Sequence, residues 1–361
     1  MKITDIKIYG VSIPLIKPFK TALRVVKVLD TNIIEIGTDT GEIGFGEASP
    51  TAVITGDTKG SIREAIEEYI FPAIKGMDIE EIENIMLKIN KSMIKNTSPK
   101  AAIDMAIYDL FGKHFKIPLY KFFGGAKKEF ETDITISVNE PEEMAKDALE
   151  YVRAGYDTLK IKVGTDSKLD ILRVKAIRDA IGPNIKIRLD ANQGWRAKEA
   201  VGVIRKMEDL NLDLELVEQP VPYYDIEGLK YVTDNVEVPI MADEALFTPR
   251  DAGFLLNNRC VDILNIKLMK AGGLYNAQKI CSIAEAYGIE CMIGSMMESS
   301  VGITAAAHLA GGKMNVTKAD LDASTLLSEN PVVGGVQIIN KKLVLNDGYG
   351  LGISKVESKL T

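Results

Sequence analysis

From residue 160 onward, six charged residues recur near the ends of short apolar runs. Lys162, Asp190, Glu218, Asp243 and Lys267 are separated by gaps of 28, 28, 25 and 24 residues, and Asp320 closes the series. Each gap fits one strand, one helix and their loops. Asp190 (in RLDAN), Glu218 (in VEQP) and Asp243 (in ADE) are three carboxylates in succession. Carboxylates brought this close repel unless a cation lies between them. The set offers hard oxygens and no histidine or thiolate. That chemistry selects Mg²⁺, with Mn²⁺ also suited.

The lysines suggest proton transfer. Side chains two apart on a strand point the same way. In TLKIKV, Lys160 and Lys162 therefore share one side, and in DILNIKL, Asn265 and Lys267 do the same. Inward lysines are costly unless they have work to do. Strands two and six of eight lie roughly opposite across a barrel mouth, so Lys162 and Lys267 approach different faces of a substrate. One removes a proton beside a carboxylate, the other returns it from the far side, and the carbon inverts through an enediolate. Lys160 would polarise the substrate carboxylate beside the metal. A base must be neutral, against an ordinary lysine pKa near ~10.4. Metal charge, burial and the proximity of Lys160 to Lys162 all push that way. Histidine does not compete for the role. The chain has two, His114 after AAIDMAIYDLFGK and His308 within ITAAAHLA, and both read as structural.

These side chains need a barrel to position them. Eight apolar runs alternate with helical periodicity: 133–138, 158–163, 185–191, 214–219, 238–244, 262–268, 289–295 and 316–322. Seven helical stretches separate them, including 141–154 and 274–287, and no long helix follows the eighth. This predicts an α/β protein with a (β/α)7β TIM-like barrel, whose active face is the C-terminal end of the strands. Before it, three strands (3–11, 32–38, 43–48) and helical runs (59–75, 79–95, 100–113) predict an α+β unit, with a Thr40-Gly41 hairpin turn. Segments 14–29 and 50–58 read as long loops able to cover a site. The expected divisions are 1–125, 126–325 and 326–361. The last contains VGGVQIINKKLVL and returns toward the first.

With 361 residues, 46% apolar and 26% charged, the chain is long enough for such an arrangement. A net charge of −7 without a basic block argues against nucleic acid or an anionic membrane. MKITDIKIYG alternates like a strand, not a signal peptide, and no window approaches the ~20 apolar residues of a membrane span. Cys260, Cys281 and Cys291 read as buried thiols of a reducing cytoplasm.

In order, TLKIKV, RLDAN, VEQP, MADE and NIKLMKAGG resemble the muconate-lactonising branch of the enolase superfamily, and the likeness covers essentially the whole chain. It implies that the N-terminal unit is a capping domain. The closing ADLDA resembles dipeptide epimerases, which implies that Asp320 and Asp322 hold a substrate α-ammonium. PFKTALRVV, with VITGD in the next loop, is similar to the epimerases that act on Ala-Glu dipeptides. There the arginine matching Arg24 meets the glutamate side-chain carboxylate. The likeness also implies that Thr135, Ser295 and Met297 line the substrate pocket. Glu298 receives no role.

The resulting expectation is Mg²⁺-dependent epimerisation of L-Ala-D-Glu and L-Ala-L-Glu by a homo-oligomer whose partner is the small dipeptide. Cycloisomerase, o-succinylbenzoate synthase or N-acylamino acid racemase chemistry would use the same lysines and metal. Their substrates lack the ammonium that Asp320 and Asp322 call for. A non-catalytic barrel would not require both lysines and all three carboxylates.

Overall fold

The computed structural model describes residues 1–22 and 24–357. Strands β1 (Ile3–Lys20), β2 (Val25–Thr38) and β3 (Ile43–Ala48) form an antiparallel sheet in that order. The Thr40-Gly41 turn is present: Gly41 takes φ +83° and its N–H donates to Thr38 O at 3.0 Å. The segment read as a loop at 14–29 is instead a continuation of the hairpin. Pro14 pairs with Val28, and after a register shift Phe19 pairs with Val26 and Lys20 with Val25. Two prolines interrupt the alternation there, but β1 is an edge strand and tolerates a missing N–H. Segment 50–58 is loop, as expected. Behind the sheet lie helical runs 59–74 and 79–92, then Thr97–His114, which is almost wholly buried against β3.

After β4 (Glu129–Glu131), eight strands form one parallel sheet in chain order: β5 (Ile134–Ile136), β6 (Thr158–Lys162), β7 (Lys186–Asp190), β8 (Leu214–Glu218), β9 (Ile240–Ala242), β10 (Ile263–Lys267), β11 (Cys291–Gly294) and β12 (Val316–Asp320). Each lies within a segment that the sequence predicts. The ends meet: Asp133 N–H donates to Ala319 O at 3.2 Å, and Leu321 N–H to Thr132 Oγ1 at 2.9 Å. The predicted (β/α)7β barrel is therefore the observed architecture. Among the described residues seven helices of eight residues or more separate its strands, Pro141–Arg153 and Leu274–Ala286 among them, and only a short 3₁₀ turn follows β12.

Alternation divides the strands as expected. Leu159, Ile161 and Val163 are buried beneath the helices, while Lys160 and Lys162 point into the barrel. Inside, Leu216, Met241, Ile263 and Met292 form a small apolar plug, two residues before Glu218, Asp243, Asn265 and Gly294 respectively. Arg188 fills the other half of the interior, 2.8 Å from Asp133 Oδ2 and 2.5 Å from Glu215 Oε2. Gly164 and Gly194 bring the β6 and β7 ends together. A Cβ on Gly164 would lie 2.1 Å from Ala191 O, and one on Gly194 2.2 Å from Gly164 O.

Strands β13 (Val332–Gly334), β14 (Gln337–Ile339), β15 (Lys342–Val344) and β16 (Ile353–Val356) complete the chain. β15 pairs with β4, and Leu351 N–H reaches Asp109 in the Thr97–His114 helix at 2.7 Å. Asp109 also accepts the Phe45 N–H from β3 at 3.0 Å. The final segment thus returns to the N-terminal unit.

Candidate active site

Barrel strands end in their charged residues, and the backbone turns sharply just beyond. Asn192 and Gln219 take positive φ, 41° and 37°. Such strain in non-glycine residues persists only where neighbours enforce it. Asn192 N–H donates to Asp190 Oδ1 at 2.9 Å, and Gln219 Oε1 accepts the N–H groups of Asp243 and Ala245 at 3.0 and 3.1 Å. The turns therefore fix the carboxylates of neighbouring strands.

Lys160 and the six charged strand-end residues meet inside the barrel. Lys160 Nζ lies 2.6 Å from Glu218 Oε2, 2.7 Å from Asp320 Oδ2 and 3.1 Å from Asp190 Oδ2. Lys162 Nζ is 2.5 Å from Asp190 Oδ2, and Lys267 Nζ is 2.8 Å from Asp243 Oδ2. Burial by itself would strip the charge from Lys160 and Lys267. Instead the carboxylates win and hold both pKa values above the ordinary lysine range: Asp190, Asp320 and Glu218 for Lys160, Asp243 and Glu218 for Lys267. These side chains by themselves thus favour the charged lysines, and a dication bound beside them would push the other way.

The oxygens suit a hard cation. Among the described residues no three acidic, thiol or imidazole groups form a ready-made coordination shell, because ammonium groups lie between the carboxylates. Several buried oxygens nonetheless accept no hydrogen bond: Glu218 Oε2, Glu244 Oε2 and Asn192 Oδ1. Glu218 Oε2 lies within ion-pair range of Lys160 but is not aligned for a hydrogen bond. Buried acceptors left this way are costly, and a dication would satisfy them.

Above these groups opens a cavity. Its walls include Lys162, Lys267, Asp243, Asp320 and Asp322 together with Arg24, Thr135, Ser295 and Met297. Asp190, Glu218 and Lys160 lie buried beneath, joined to the walls by the ion pairs above. Asp322 Oδ2 accepts the Thr135 N–H at 2.7 Å, and burial followed by Asp320 pushes its pKa to about 6. Arg24 stands beside the tip of the β1–β2 arm, half-buried, and burial alone lowers its pKa. The arm docks on the barrel through Lys20, whose N–H donates to Ser137 Oγ at 3.1 Å and whose O accepts the Val138 N–H at 3.2 Å.

Several wall residues escaped the sequence reading. Phe19 and Ile54 come from the arm and the 50–58 loop, Asn192 lies two residues after Asp190, and Glu244 directly follows Asp243. Lys270 is fully buried, donates to both Asp243 Oδ1 and Asp243 O, and lies 3.2 Å from Asn265 O. The available signal was its place in the short turn of helix that directly follows Lys267 at the strand end.

The two histidines are structural, as expected. Buried His308 accepts the Tyr120 N–H on Nδ1 at 2.9 Å, so Nε2 carries the proton toward Leu351 O at 3.2 Å. His114 pairs with Glu80 at the surface.

Residues 3–124 match the N-terminal domain of the mandelate racemase / muconate lactonizing enzymes, and residues 143–359 match the enolase C-terminal domain-like family. The chain belongs to the mandelate racemase / muconate lactonizing enzyme family. Its membership of the enolase superfamily, expected from the motifs, is therefore met. An L-Ala-D/L-Glu epimerase of Clostridium acetobutylicum is 52% identical, over 99% of this chain and all of that one. A substrate-liganded L-Ala-D/L-Glu epimerase from Bacillus subtilis superposes with a TM-score of 0.98 at 50% identity, covering 99% of both chains. A dipeptide epimerase from Enterococcus faecalis, complexed with Mg and L-Leu-L-Tyr, superposes at 0.95 with 48% identity, over 98% of this chain and all of that one. The family member described here is, like these relatives, an isomerase. None of its described helices is long and apolar enough to cross a membrane.

Proposed function

We propose that the protein is a Mg²⁺-dependent dipeptide epimerase that interconverts L-Ala-D-Glu and L-Ala-L-Glu. The observation that carries this is one cavity holding Lys162 and Lys267, from strands two and six of eight, together with Asp320, Asp322 and Arg24. Asp320 and Asp322 hold the substrate ammonium. Arg24 makes a two-pronged contact with the glutamate side-chain carboxylate. Lys162 takes the α-proton from one face of the carbon and Lys267 delivers one to the other, so the centre inverts with no net change of atoms. In the reverse direction the two exchange roles. Lys160, just beneath the cavity, balances the growing charge of the substrate carboxylate from below. Asp190, Glu218 and Asp243 are the residues to hold the metal, Mg²⁺ or Mn²⁺. When bound, the ion supplies fixed positive charge beside the substrate carboxylate.

A second reading rests on the cavity walls. Phe19, Val53, Ile54 and Leu326 are apolar, which suits a hydrophobic side chain, and the Enterococcus faecalis relative is named a hydrophobic dipeptide epimerase. The position of Arg24 in the same walls favours the acidic substrate. Three buried free cysteines agree with a reducing cytoplasm, where we place the enzyme.

The test is α-hydrogen exchange in deuterated water with Mg²⁺. Each Ala-Glu epimer should gain one α-deuterium as it is converted to the other. Lys267→Ala should retain exchange on one epimer without inversion. Failure of the intact protein to exchange the α-hydrogen of any dipeptide ends the proposal.

A further inference from the structure

Glu47 and Ser49, at the end of β3, lie in the N-terminal unit and outside the walls of the cavity, yet both grip the loop that follows β11. Glu47 is wholly buried. One of its carboxylate oxygens accepts the Ser299 N–H at 2.8 Å. The other accepts the Ser299 hydroxyl at 2.7 Å and the Gly302 N–H at 2.8 Å. Ser299 is the N-cap of the Ser300–Gly312 helix. A helix start leaves N–H groups without partners inside the helix, and here a carboxylate from the other unit supplies the acceptor. Ser49 Oγ donates to Met297 O at 2.7 Å, and Glu298 accepts the Met296 N–H at 2.7 Å. The tie leaves no room for a side chain at position 302. A Cβ there would lie 2.2 Å from Glu298 Oε2 and 3.2 Å from Glu47 Oε2. The held loop presents Ser295, Met296 and Met297 to the cavity, and the chain just beyond Ser49 presents Val53 and Ile54 from the other side.

We propose that Glu47 and Ser49 are positioning residues for substrate selectivity, holding the barrel's 295–299 wall at a fixed distance from the 50–58 wall. The inference rests on the dipeptide reading above for its substrates, but not for its structural readout. Neither residue touches the reacting atoms, so both act through the loop they hold.

The experiment compares Glu47→Ala, Glu47→Gln and Ser49→Ala with the unaltered protein, in two measurements. Hydrogen exchange should quicken at residues 295–302 in Glu47→Ala, with Asp190, Glu218 and Asp243 and their strands unchanged. In turnover, the ratio of kcat/KM for L-Ala-L-Glu over a bulkier dipeptide such as L-Leu-L-Tyr should fall about tenfold through KM. Mg²⁺ affinity should stay the same. Glu47→Gln, which keeps one acceptor oxygen, should recover part of the ratio. Ser49→Ala removes a single hydrogen bond and should move the ratio the same way by less, which covers the case of a Glu47 variant that does not fold. An unchanged ratio with only a lower Tm would overturn the proposal, as would equal kcat losses on both substrates. If the intact protein turns over no dipeptide, the functional reading fails and hydrogen exchange alone decides. Unchanged exchange at 295–302 in both Glu47→Ala and Ser49→Ala then overturns the inference.

Discussion

Lys160 and Asp320 stand 160 positions apart in the chain and meet inside the barrel, Nζ to Oδ2 at 2.7 Å. In the proposed function Asp320 thus serves two cations: the lysine beneath it and the substrate ammonium that we assign to the cavity. Asp322 contacts Thr135's N–H instead. Asp320→Asn should lower kcat and raise KM together, because both the substrate and Lys160 lose a charged partner. Asp322→Asn should act on KM, by about tenfold. Steady-state kinetics on one dipeptide separates the two. A kcat loss in Asp322→Asn as deep as that in Asp320→Asn contradicts this division.

Asp243 carries three loads, since Lys267 and Lys270 each take one of its oxygens and the metal is proposed to share them. Asp243→Asn should weaken Mg²⁺ binding on the order of 100-fold and abolish turnover at ordinary Mg²⁺. Titration calorimetry on the chelator-treated protein checks the first, and α-deuterium exchange the second. Metal affinity equal to that of the unaltered protein would remove Asp243 from the ligand set.

Arg24 separates the acidic from the hydrophobic substrate reading. A charged hydrogen bond in a desolvated site contributes about 1.5–3 kcal/mol. Arg24→Ala should thus reduce kcat/KM for L-Ala-L-Glu by roughly 10- to 100-fold, and much less for L-Ala-L-Leu. Equal losses on the two would leave a dipeptide epimerase in which Arg24 does not read the side chain.

His308 gives a prediction about stability. Burial lowers its pKa from 6.5 to about 4. Between those values the unfolded chain binds a proton that the folded chain refuses. Acidification through this window therefore favours unfolding. The contribution is fully present above pH 6.5 and is lost as pH falls toward 4, about 3 kcal/mol in all. His308→Asn, which keeps an acceptor for the Tyr120 N–H, should flatten that part of the slope in urea unfolding measured from pH 7 to pH 4. Parallel slopes for the two proteins would show that His308 protonates freely in the fold.

The barrel was legible because alternation with a period of two put Lys160, Lys162 and Lys267 on one face, and because strand-plus-helix spacing repeated four times in succession. What resisted reading depends on contacts between distant segments. Pro14 and Pro18 broke the alternation of β1, so a paired arm looked like a loop. Glu47 sits in GEASP as an ordinary strand-end acid, and nothing local shows that its partners are Ser299 and Gly302. The pull of the carboxylates on the lysines is long-range in the same sense. Burial and like charges could be read from TLKIKV, but the close approach of Asp320 to Lys160 could not.

Asp109 binds the Phe45 N–H from 64 residues earlier and the Leu351 N–H from 242 residues later. Ribosomes add about 5–20 residues each second. The link that Asp109 makes between β3 and the final segment therefore stays incomplete for roughly 10–50 s after Asp109 is added. Until then water must satisfy the Asp109 oxygen that takes the Leu351 N–H, so the N-terminal unit reaches its full set of hydrogen bonds only once Leu351 is made.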